Sequence, residues 1–463
     1  MQGKWFITSV EVASRELTSR TILCADAIKN GWKCIISTRR SIIRNIEHIP
    51  SGVVLIKSAH NQDLEYIRLL KKHGHKIMCL DEEGLVQESF FDMIEKRTSI
   101  EGMSLVDYYF LWGGEQYNAF SQKYKSYKDK LIVVGNPRVD TWMGKYNGLY
   151  SAKVDEIQEK YGKYILIPSS FAPYNHFTGL GRSVKLWVNS GSVDRSNAMD
   201  RINYVKRHYN NYMKLIPAIS SCFSDISIVM KIHPSENPDP WIKMSESVGN
   251  FHVVTTGELL EYIMGSEAVI HCGSTSSVES FLYGKPVISY CLNDEVSKHG
   301  LEIPEKVSIL AKNSDHVISL LKKILKGDQE LANNTDHINQ YLRGLMDNYD
   351  YFSSGKIIKT LNTIDVDSST SVDFNQIIGE EFSENFRERF VTLANPLVGL
   401  LRIGKFMPRV YKQQLRGIEY GQRKMKGLDV DTIKEKFSLI SRDLEKSVEF
   451  EVSEYANDFF VIK

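Results

Sequence analysis

The chain has 463 residues, of which 42% are hydrophobic and 25% are charged. Its 58 basic and 57 acidic side chains nearly balance, which argues against a nucleic-acid-binding protein, because such proteins usually carry a strong basic excess. A chain of this length exceeds one ordinary hydrophobic core, so we expect two or three domains.

The cysteines and the first residues indicate a cellular compartment. The six cysteines are scattered, without a CxxC pair or the spacing of metal ligands, and most lie in or beside apolar runs. This pattern favours buried free thiols in a reducing cytosol. The first residues lack the apolar region of a signal peptide, and no stretch approaches the ~20 apolar residues that span a bilayer. We therefore expect a cytoplasmic protein.

Strand-like and helix-like segments alternate up to about residue 140. The predicted strands are KWFITS, WKCIIS, GVVLIKS, KIMCL, YYFLWG and KLIVVGNP. Between them, RTILCADAIKNG and LEYIRLLKKHG carry apolar residues at helical spacing. Strands that alternate with helices predict a doubly wound parallel sheet. We assign residues 1–155 to an N-terminal Rossmann-like domain.

A polar segment rich in Lys and Tyr, residues 144–163, marks a domain boundary. The alternation then resumes with the predicted strands YILIPSS, DISIVMKIHP, HVVTTGE, EAVIHCG and KPVISY and the predicted helices ELLEYIMG and SSVESFLYG. Residues 315–350 are predicted to be helical. We assign residues 156–350 to a second Rossmann-like domain, and the predicted architecture is an α/β protein of two such domains facing a central cleft.

Residues 351–463 are predicted to form a linker and a basic, amphipathic helical tail. Between residues 397 and 427 the chain has eight basic side chains and one acidic side chain, Glu419, with apolar residues interleaved. Such a segment can lie on an anionic membrane surface, which would place the protein at the inner face of the cytoplasmic membrane. A helical appendage that docks on the protein itself is the alternative.

Three consecutive carboxylates, Asp81, Glu82 and Glu83, follow the predicted strand KIMCL and precede Gly84. They form either a solvated loop or a catalytic acid and base. Adjacent carboxylates disfavour each other's charge, so a raised pKa is expected for one of them. That would leave a protonated acid beside a charged base.

Further candidate residues in the first domain follow other predicted strands. GNPRVDTW places Arg138 and Asp140 after KLIVV, where Arg138 can bind an anionic substrate group or form a structural pair with Asp140. The other candidates for substrate binding are Glu11, Arg15, Glu16 and Arg20 after the first strand, and Trp112 and Glu115 in FLWGGEQ. A solvated helix face and an ordinary turn are the respective alternatives.

In the second domain, KIHPSENP places Lys231, His233 and Pro234 at the carboxyl edge of the sheet, where such sheets bind ligands. HCGSTSSVES places hydroxyl groups before a helix, where they can bind an anion or simply cap the helix. These residues are Ser274, Thr275, Ser276 and Ser277. Ser169 and Ser170 follow YILIP, and Asn175 and His176 follow closely, as ligand-binding groups or as a surface loop.

Taken together, the acidic triplet with its glycine, the GNPRxD string, the HP pair and the Ser/Thr cluster leading into ESFLYGKPVISY resemble the retaining β-Kdo transferases of bacterial surface-carbohydrate synthesis. The resemblance covers about residues 1–350. It implies a GT-B fold and transfer of Kdo from CMP-Kdo to a sugar acceptor in lipopolysaccharide or capsule synthesis. Bacterial sialyltransferases and CDP-glycerol-type polyol-phosphate transferases share parts of this pattern and are the alternatives. A non-catalytic sugar-nucleotide-binding scaffold is a further one.

The resemblance also implies roles for individual residues. His233 and Pro234 would hold the CMP phosphate or ribose, and Ser276 and Ser277 the phosphate. Glu82 or Glu83 would act as acid or base toward the acceptor hydroxyl. Retention of configuration at the anomeric carbon implies a carboxylate nucleophile, which would be either Asp140 or one of the triplet acids. A CMP-sugar carries a single phosphate, so no metal or other cofactor is expected; the Asp-x-Asp strings, at 365–367 and 429–431, lie in the linker and tail.

Overall fold

The computed structural model describes residues 3–85, 90–180, 184–185, 188, 195–291, 302–328, 335–366, 372–379, 419–443 and 449–463. The chain forms two compact units. Unit 1 comprises Met1–Leu149, Asn339–Arg387 and Met425–Lys463, and unit 2 comprises Tyr150–Ile338 and Glu388–Lys424. The first break between the two units falls between Leu149 and Tyr150. Residues 339–350 belong with the first unit although the sequence analysis assigned them to the second.

Among the described residues, eleven strands lie close to their predicted positions, and the last three strands along the chain were not predicted. The strands are β1 (Lys4–Ser9), β2 (Trp32–Ser37), β3 (Val53–Ile56), β4 (Lys76–Leu80), β5 (Tyr108–Leu111), β6 (Leu131–Val133), β7 (Tyr164–Pro168), β8 (Ser227–Lys231), β9 (Phe251–Val254), β10 (Ala268–His271), β11 (Val287–Ser289), β12 (Ile309–Leu310), β13 (Val452–Ala456) and β14 (Phe459–Ile462). Runs such as VVLI and YILI are buried throughout, as expected for parallel strands covered on both faces.

Helices connect the strands. They are α1 (Ala13–Lys29), α2 (Arg39–Arg44), α3 (Leu64–Lys72), α4 (Phe90–Arg97), α5 (Ile100–Leu105), α6 (Gly114–Lys123), α7 (Pro137–Trp142), α8 (Ser151–Tyr161), α9 (Arg195–Cys222), α10 (Asp239–Ser245), α11 (Leu259–Gly265), α12 (Ser276–Leu282), α13 (Glu302–Lys306), α14 (Ser314–Leu325), α15 (Thr335–Leu345), α16 (Ser353–Leu361) and α17 (Val430–Asp443). In α3, Leu64, Ile67 and Leu70 are buried, at the spacing that places them on one helix face.

In the described part of unit 1, eight strands form one sheet in the order β13, β14, β2, β1, β3, β4, β5, β6. The strands β1 to β6 are parallel. The chain runs from β1 to β2 on one side and then to β3 on the other side of β1. The strand order therefore reverses between β1 and β3. In open α/β sheets, ligands bind at the carboxyl ends of the strands at such a reversal.

The part of the chain predicted to be a linker and a helical tail does contain helices α16 and α17, but its last residues form strands β13 and β14, which extend the sheet of unit 1. β14 pairs antiparallel with β2, and all four of its residues are 0% exposed. The Asp458 carboxylate accepts hydrogen bonds from Thr38 Oγ1 at 3.0 Å and Ser41 Oγ at 3.2 Å. The run FFVI therefore belongs to the core of unit 1. Of the basic segment 397–427, residues 397–418 lie outside the described residues.

In the described part of unit 2, six parallel strands form one sheet in the order β12, β11, β10, β7, β8, β9. Numbered from β7, this is the 3-2-1-4-5-6 order of dinucleotide-binding sheets. The order reverses between β7 and β10. The loops after these two strands therefore flank the crevice in which sheets of this kind bind nucleotides.

Four of the six cysteines are buried free thiols, as predicted: Cys24, Cys34, Cys79 and Cys291. Cys272 is half-buried and Cys222 is exposed. Cys222 departs from the prediction because it occupies the last position of α9, where the helix meets solvent.

Candidate functional site

The acidic triplet of unit 1 lies in the loop that follows β4. Asp81 and Glu82 are buried, whereas the Glu83 side chain is 39% exposed. Asp81 Oδ1 accepts the Glu83 backbone N–H at 2.6 Å, so the loop folds tightly back on its first residue. Arg97 binds both ends of the triplet, with its Nε 3.4 Å from Asp81 Oδ2 and its Nη2 in contact with the Glu83 carboxylate.

Burial raises the pKa of the Asp81 carboxyl to about 6. Arg97 opposes this shift, and the charges of Glu83 and Glu82 add to it as the smaller contributions. One triplet acid therefore titrates near neutrality while a more exposed carboxylate lies two residues away. A carboxyl group with a pKa of about 6 lies in the range that general acid–base catalysis uses.

Glu82 lies between two arginines. Arg20 Nη2 donates to Glu82 Oε1 at 2.6 Å, and Arg138 Nη1 lies 3.7 Å from Glu82 Oε2 and 3.3 Å from the Glu82 backbone oxygen. Within the described structure, Glu82 Oε2 and the Nε and Nη1 atoms of Arg20 are buried without a hydrogen-bond partner. Buried polar groups in proteins are rarely left unpaired, and they collect at functional sites. Arg138 thus pairs with Glu82 rather than with Asp140.

Arg15 and Glu16, on the first turn of α1, lie near the same loop. Lys57 follows β3, and its Nζ donates to both carboxylate oxygens of Glu16, each at 2.8 Å. Burial would raise the pKa of Glu16, but Lys57 and Arg20 outweigh it and lower the pKa. Burial and the neighbouring Arg138 lower the pKa of the Arg15 guanidinium. The structure therefore gathers these side chains at the carboxyl ends of β1 and β3.

Trp112 supports the acidic loop from below and is 1% exposed, so the structure does not offer its ring as a stacking surface for a sugar. Its Nε1 donates to the Asp81 backbone oxygen at 2.7 Å. A Cβ at Gly84 would lie 2.7 Å from the Trp112 ring, so glycine is required here for close approach. Glu115 is exposed on α6, whereas the buried Gln116, which the sequence analysis did not single out, binds Trp112 and Gly84.

Asp140 is enclosed and does not fit the predicted role of nucleophile. It is 0% exposed, and its carboxylate accepts from Lys145 Nζ at 3.0 Å, Asn348 Nδ2 at 2.9 Å and the Ser353 backbone N–H at 2.8 Å. Burial outweighs these donors and raises the pKa of Asp140. Asp140 therefore anchors residues 348–353 to α7.

In unit 2, His233 follows β8 in a loop held by neighbouring serines. Its backbone N–H donates to Ser169 Oγ at 3.0 Å, and its Nδ1 accepts the Ser235 backbone N–H at 3.2 Å. Nδ1 is thus an acceptor, which assigns the ring proton of the neutral imidazole to Nε2. His233 Nε2 can therefore donate to a ligand oxygen. Pro234 fixes the turn between His233 and Ser235.

Glu236 joins the loop after β8 to the loop after β7, and the sequence analysis did not single it out. It is 0% exposed and accepts from Trp241 Nε1 at 2.8 Å, the Phe171 N–H at 3.1 Å and Asn175 Nδ2 at 3.4 Å. Burial raises the pKa of Glu236 to about 7. The signal in the sequence was a lone acid two residues after the HP pair.

Asn175 and His176 extend the contact between these loops. Asn175 Nδ2 donates to the Asn237 backbone oxygen at 2.7 Å, and the Phe177 backbone N–H donates to the Ser235 oxygen at 2.8 Å. His176 Nδ1 accepts the Thr178 N–H at 3.1 Å. Lys231, at the end of β8, is buried with its Nζ 5.8 Å from the centre of the Tyr262 ring.

The serine cluster after β10 is largely bonded to itself. Ser277 is 0% exposed and its hydroxyl donates to the Ser274 backbone oxygen at 2.8 Å, so it is enclosed rather than available to a phosphate. Ser274, rather than Thr275 or Ser276, accepts a hydrogen bond at the start of α12, from the Ser276 N–H at 3.3 Å. Ser274 and Thr275 are half-buried and lie outermost.

Two interactions position this cluster. Ser170 Oγ donates to the Cys272 backbone oxygen at 2.9 Å, which links the loops after β7 and β10 across the point where the strand order reverses. Below them, His271 Nδ1 accepts the Ser274 N–H at 3.3 Å, and burial lowers the pKa of His271 to about 3, so this ring stays neutral.

Two Rossmann-like units, each with polar side chains at the carboxyl edge of its parallel sheet, define an α/β protein of GT-B type. A solved UDP-N-acetylglucosamine 2-epimerase is similar, with a TM-score of 0.51 and 15% identity over 80% of this chain and 100% of that chain. The wall teichoic acid polymerase TagF, in a structure soaked with CDPG, gives a TM-score of 0.51 and 12% identity over 78% of this chain and 88% of that chain. Identities this low show likeness of fold.

No protein-family model matches the sequence, and a comparison with curated proteins gives no match. In the described ranges, no group of three or more His, Cys, Asp or Glu side chains is arranged to hold a metal ion. No helix among the described residues is both long enough and apolar enough to cross a membrane.

Proposed function

We propose that this protein is a nucleotide-sugar-dependent glycosyltransferase of bacterial surface-carbohydrate synthesis, with CMP-Kdo as its donor. The observation that carries the proposal is the strand order of unit 2, in which the loops bearing Ser169, Ser170 and Ser274 flank the reversal between β7 and β10. Of the motifs that resemble those of β-Kdo transferases, the Ser/Thr cluster follows β10 and the HP pair follows β8, both in unit 2. In this proposal unit 2 binds the cytidine nucleotide and His233 Nε2 donates to its phosphate or ribose.

Unit 1 supplies the acid and base chemistry in this proposal. Glu83, the most exposed acid of the triplet, takes the proton from the acceptor hydroxyl. The acceptor oxygen then forms the new bond to the anomeric carbon, and the bond from that carbon to the phosphate oxygen breaks so that CMP leaves with the electron pair. A single displacement of this kind inverts the configuration. Retention, which the resemblance implies, takes two displacements: a carboxylate of the triplet first bonds to the anomeric carbon as CMP leaves, and the acceptor oxygen then displaces that carboxylate. Asp140 is not assigned the role of nucleophile because it is enclosed.

The donor is tested by incubating the protein separately with CMP-Kdo, CDP-glycerol and UDP-GlcNAc and a panel of glycan acceptors, and measuring nucleotide release. We expect release of CMP from CMP-Kdo. Release of CMP from CDP-glycerol in place of CMP-Kdo would replace the proposal with polyol-phosphate transfer. Intact-protein mass spectrometry after exposure to CMP-Kdo tests the covalent intermediate, which would add the mass of one Kdo.

Glu83→Gln separates an enzyme from a non-catalytic binding protein. We expect it to lower turnover at least about 100-fold, in line with the typical contribution of a general base. Glu101→Gln is the matched control, since Glu101 is an exposed acid paired with Arg68 in the same unit. A Glu83→Gln variant with full activity in the biological assay would favour the scaffold alternative.

A further inference from the structure

The described end of the basic segment, residues 419–424, packs on the loops of unit 2 that carry His176 and His233. Tyr420 OH and Ser235 Oγ form a hydrogen bond of 2.7 Å. Ser235 directly follows Pro234 in the sequence. The Tyr420 ring also lies against the His176 ring, with 5.7 Å between the ring centroids. This segment therefore contacts both loops that Glu236 joins.

Arg423 lies one helical turn after Tyr420, on the same side of the segment. Its guanidinium carbon is 4.3 Å from the centroid of the Phe177 ring, a distance typical of cation–π contact. Its Nη1 atom is buried, and among the described residues no acceptor bonds to it. A buried guanidinium nitrogen without an acceptor is costly, because its desolvation is not compensated.

The charge around Arg423 favours an anion as the missing partner. Lys424 lies 4.9 Å from the Tyr420 ring centroid, and His176 and His233 lie on the loops beneath. The acid buried among these loops, Glu236, has its pKa raised to about 7 and already accepts from three donors. A phosphate oxygen would supply the acceptor that Arg423 Nη1 lacks among the described residues, because guanidinium groups bind phosphate with charge-assisted hydrogen bonds.

We propose that Tyr420 and Arg423 belong to the nucleotide-binding site of unit 2, with Arg423 donating from Nη1 to the nucleotide phosphate and Tyr420 holding the loop that carries His233. This inference rests on the proposed function and adds to it a phosphate-binding residue from the basic segment. It assigns to residues 419–424 a ligand-binding role in place of the membrane contact expected from their composition.

Isothermal titration of the full-length protein with CMP and with cytidine tests the assignment, because the two ligands differ by the phosphate. We expect Arg423→Gln to weaken CMP binding about 10- to 100-fold, the usual effect of losing a hydrogen bond to a charged group, and to change cytidine binding less than about twofold. Arg423→Lys, which retains the charge, should recover part of the loss. Tyr420→Phe should weaken CMP binding by a smaller factor, because it acts through Ser235.

Lys426→Gln is the matched control, since Lys426 is an exposed cation of the basic segment 397–427 that lies outside residues 419–424, and its loss removes the same charge. Circular dichroism melts of every variant report folding. Wild-type protein that binds CMP together with an Arg423→Gln variant of unchanged CMP affinity would overturn this inference while leaving the proposed function intact. Equal losses of affinity for CMP and for cytidine in Arg423→Gln would show that Arg423 has a structural role, and would also overturn the inference. Wild-type protein that binds neither CMP nor cytidine would overturn both.

Discussion

Arg20 Nη2 lies 2.6 Å from Glu82 Oε1, and the two side chains are 1% and 8% exposed. The pair joins α1 to the loop after β4 in the interior of unit 1. Removing one partner of a buried ion pair leaves an uncompensated charge, so Arg20→Met is expected to destabilise the protein by about 3–5 kcal/mol. Urea unfolding monitored by tryptophan fluorescence measures this loss.

The control for Arg20→Met is Arg343→Met, which breaks an exposed pair with Asp350 in the same unit. Exposed pairs contribute at most about 1 kcal/mol, so this variant should unfold close to wild type. The double variant Arg20→Met with Glu82→Gln should lose less stability than the sum of the two single variants, because the charge that each leaves behind is gone. Equal losses for Arg20→Met and Arg343→Met would show that the buried pair is not formed.

Asp81 makes the stability of unit 1 depend on pH. Its pKa is raised from 3.8 to about 6 in the folded protein, so its stabilising contribution is fully present below about pH 3.8 and is lost as the pH rises through about 6. Wild type should therefore lose stability relative to Asp81→Asn across this window, on the order of 3 kcal/mol for a shift of this size. Denaturant unfolding at a series of pH values measures the difference. Asp129→Asn, at an exposed position, is the control, and its free energy of unfolding should follow that of wild type at every pH. If the free energies of wild type and Asp81→Asn changed in parallel with pH, the raised pKa of Asp81 would be contradicted.

Gly84 is expected to tolerate no side chain because the Trp112 ring occupies the space. Gly84→Ala would place a Cβ 2.7 Å from that ring, and overpacking of this kind costs about 1–3 kcal/mol. Gly114→Ala is the matched control, since a Cβ there meets no atom within 4 Å and alanine favours the helix. In thermal melts, the Tm of Gly84→Ala should lie below that of wild type, and the Tm of Gly114→Ala should equal or exceed it. The reverse order would refute the packing of Trp112 under the loop.

Glu236 is expected to hold the two ligand-facing loops of unit 2 together. Glu236→Ala removes the acceptor of the buried Phe171 and Trp241 N–H groups, and each buried donor left unpaired costs about 1–3 kcal/mol. Hydrogen exchange should speed up at Phe171 and Asn237, which the loop contact protects. Glu246→Ala, at an exposed position of the same unit, should leave both exchange rates and stability unchanged. Unaltered exchange at Phe171 in Glu236→Ala would show that the loops hold together without this carboxyl.

The parallel sheets could be predicted because buried parallel strands are continuous apolar runs, such as the VVLI of β3, and need no long-range information. The position of the acidic triplet at a strand end followed from the same pattern. Which triplet acid has the raised pKa could not be predicted, because the burial of Asp81 depends on Trp112, which lies 31 positions further along the chain.

The role of Asp140 and the strand β14 could not be predicted for a related reason. The motif GNPRVD suggests a ligand-binding acid, but Asn348, 208 positions away, occupies one of its oxygens. The run FFVI is apolar enough to be a strand, yet the basic composition of the preceding segment favoured a helical tail. In both cases the deciding partner comes from a distant part of the sequence.

The pairing of β14 with β2 has a consequence for synthesis. The hydrogen bond between Ser37 Oγ and the Asp458 backbone oxygen spans 421 positions, so the sheet of unit 1 cannot be completed while the ribosome still holds residues 452–462. The sheet strands of unit 2 are all synthesised before then and can pair earlier. Until residues 452–462 have left the ribosome, β2 has an open edge that a chaperone or a neighbouring nascent chain can occupy.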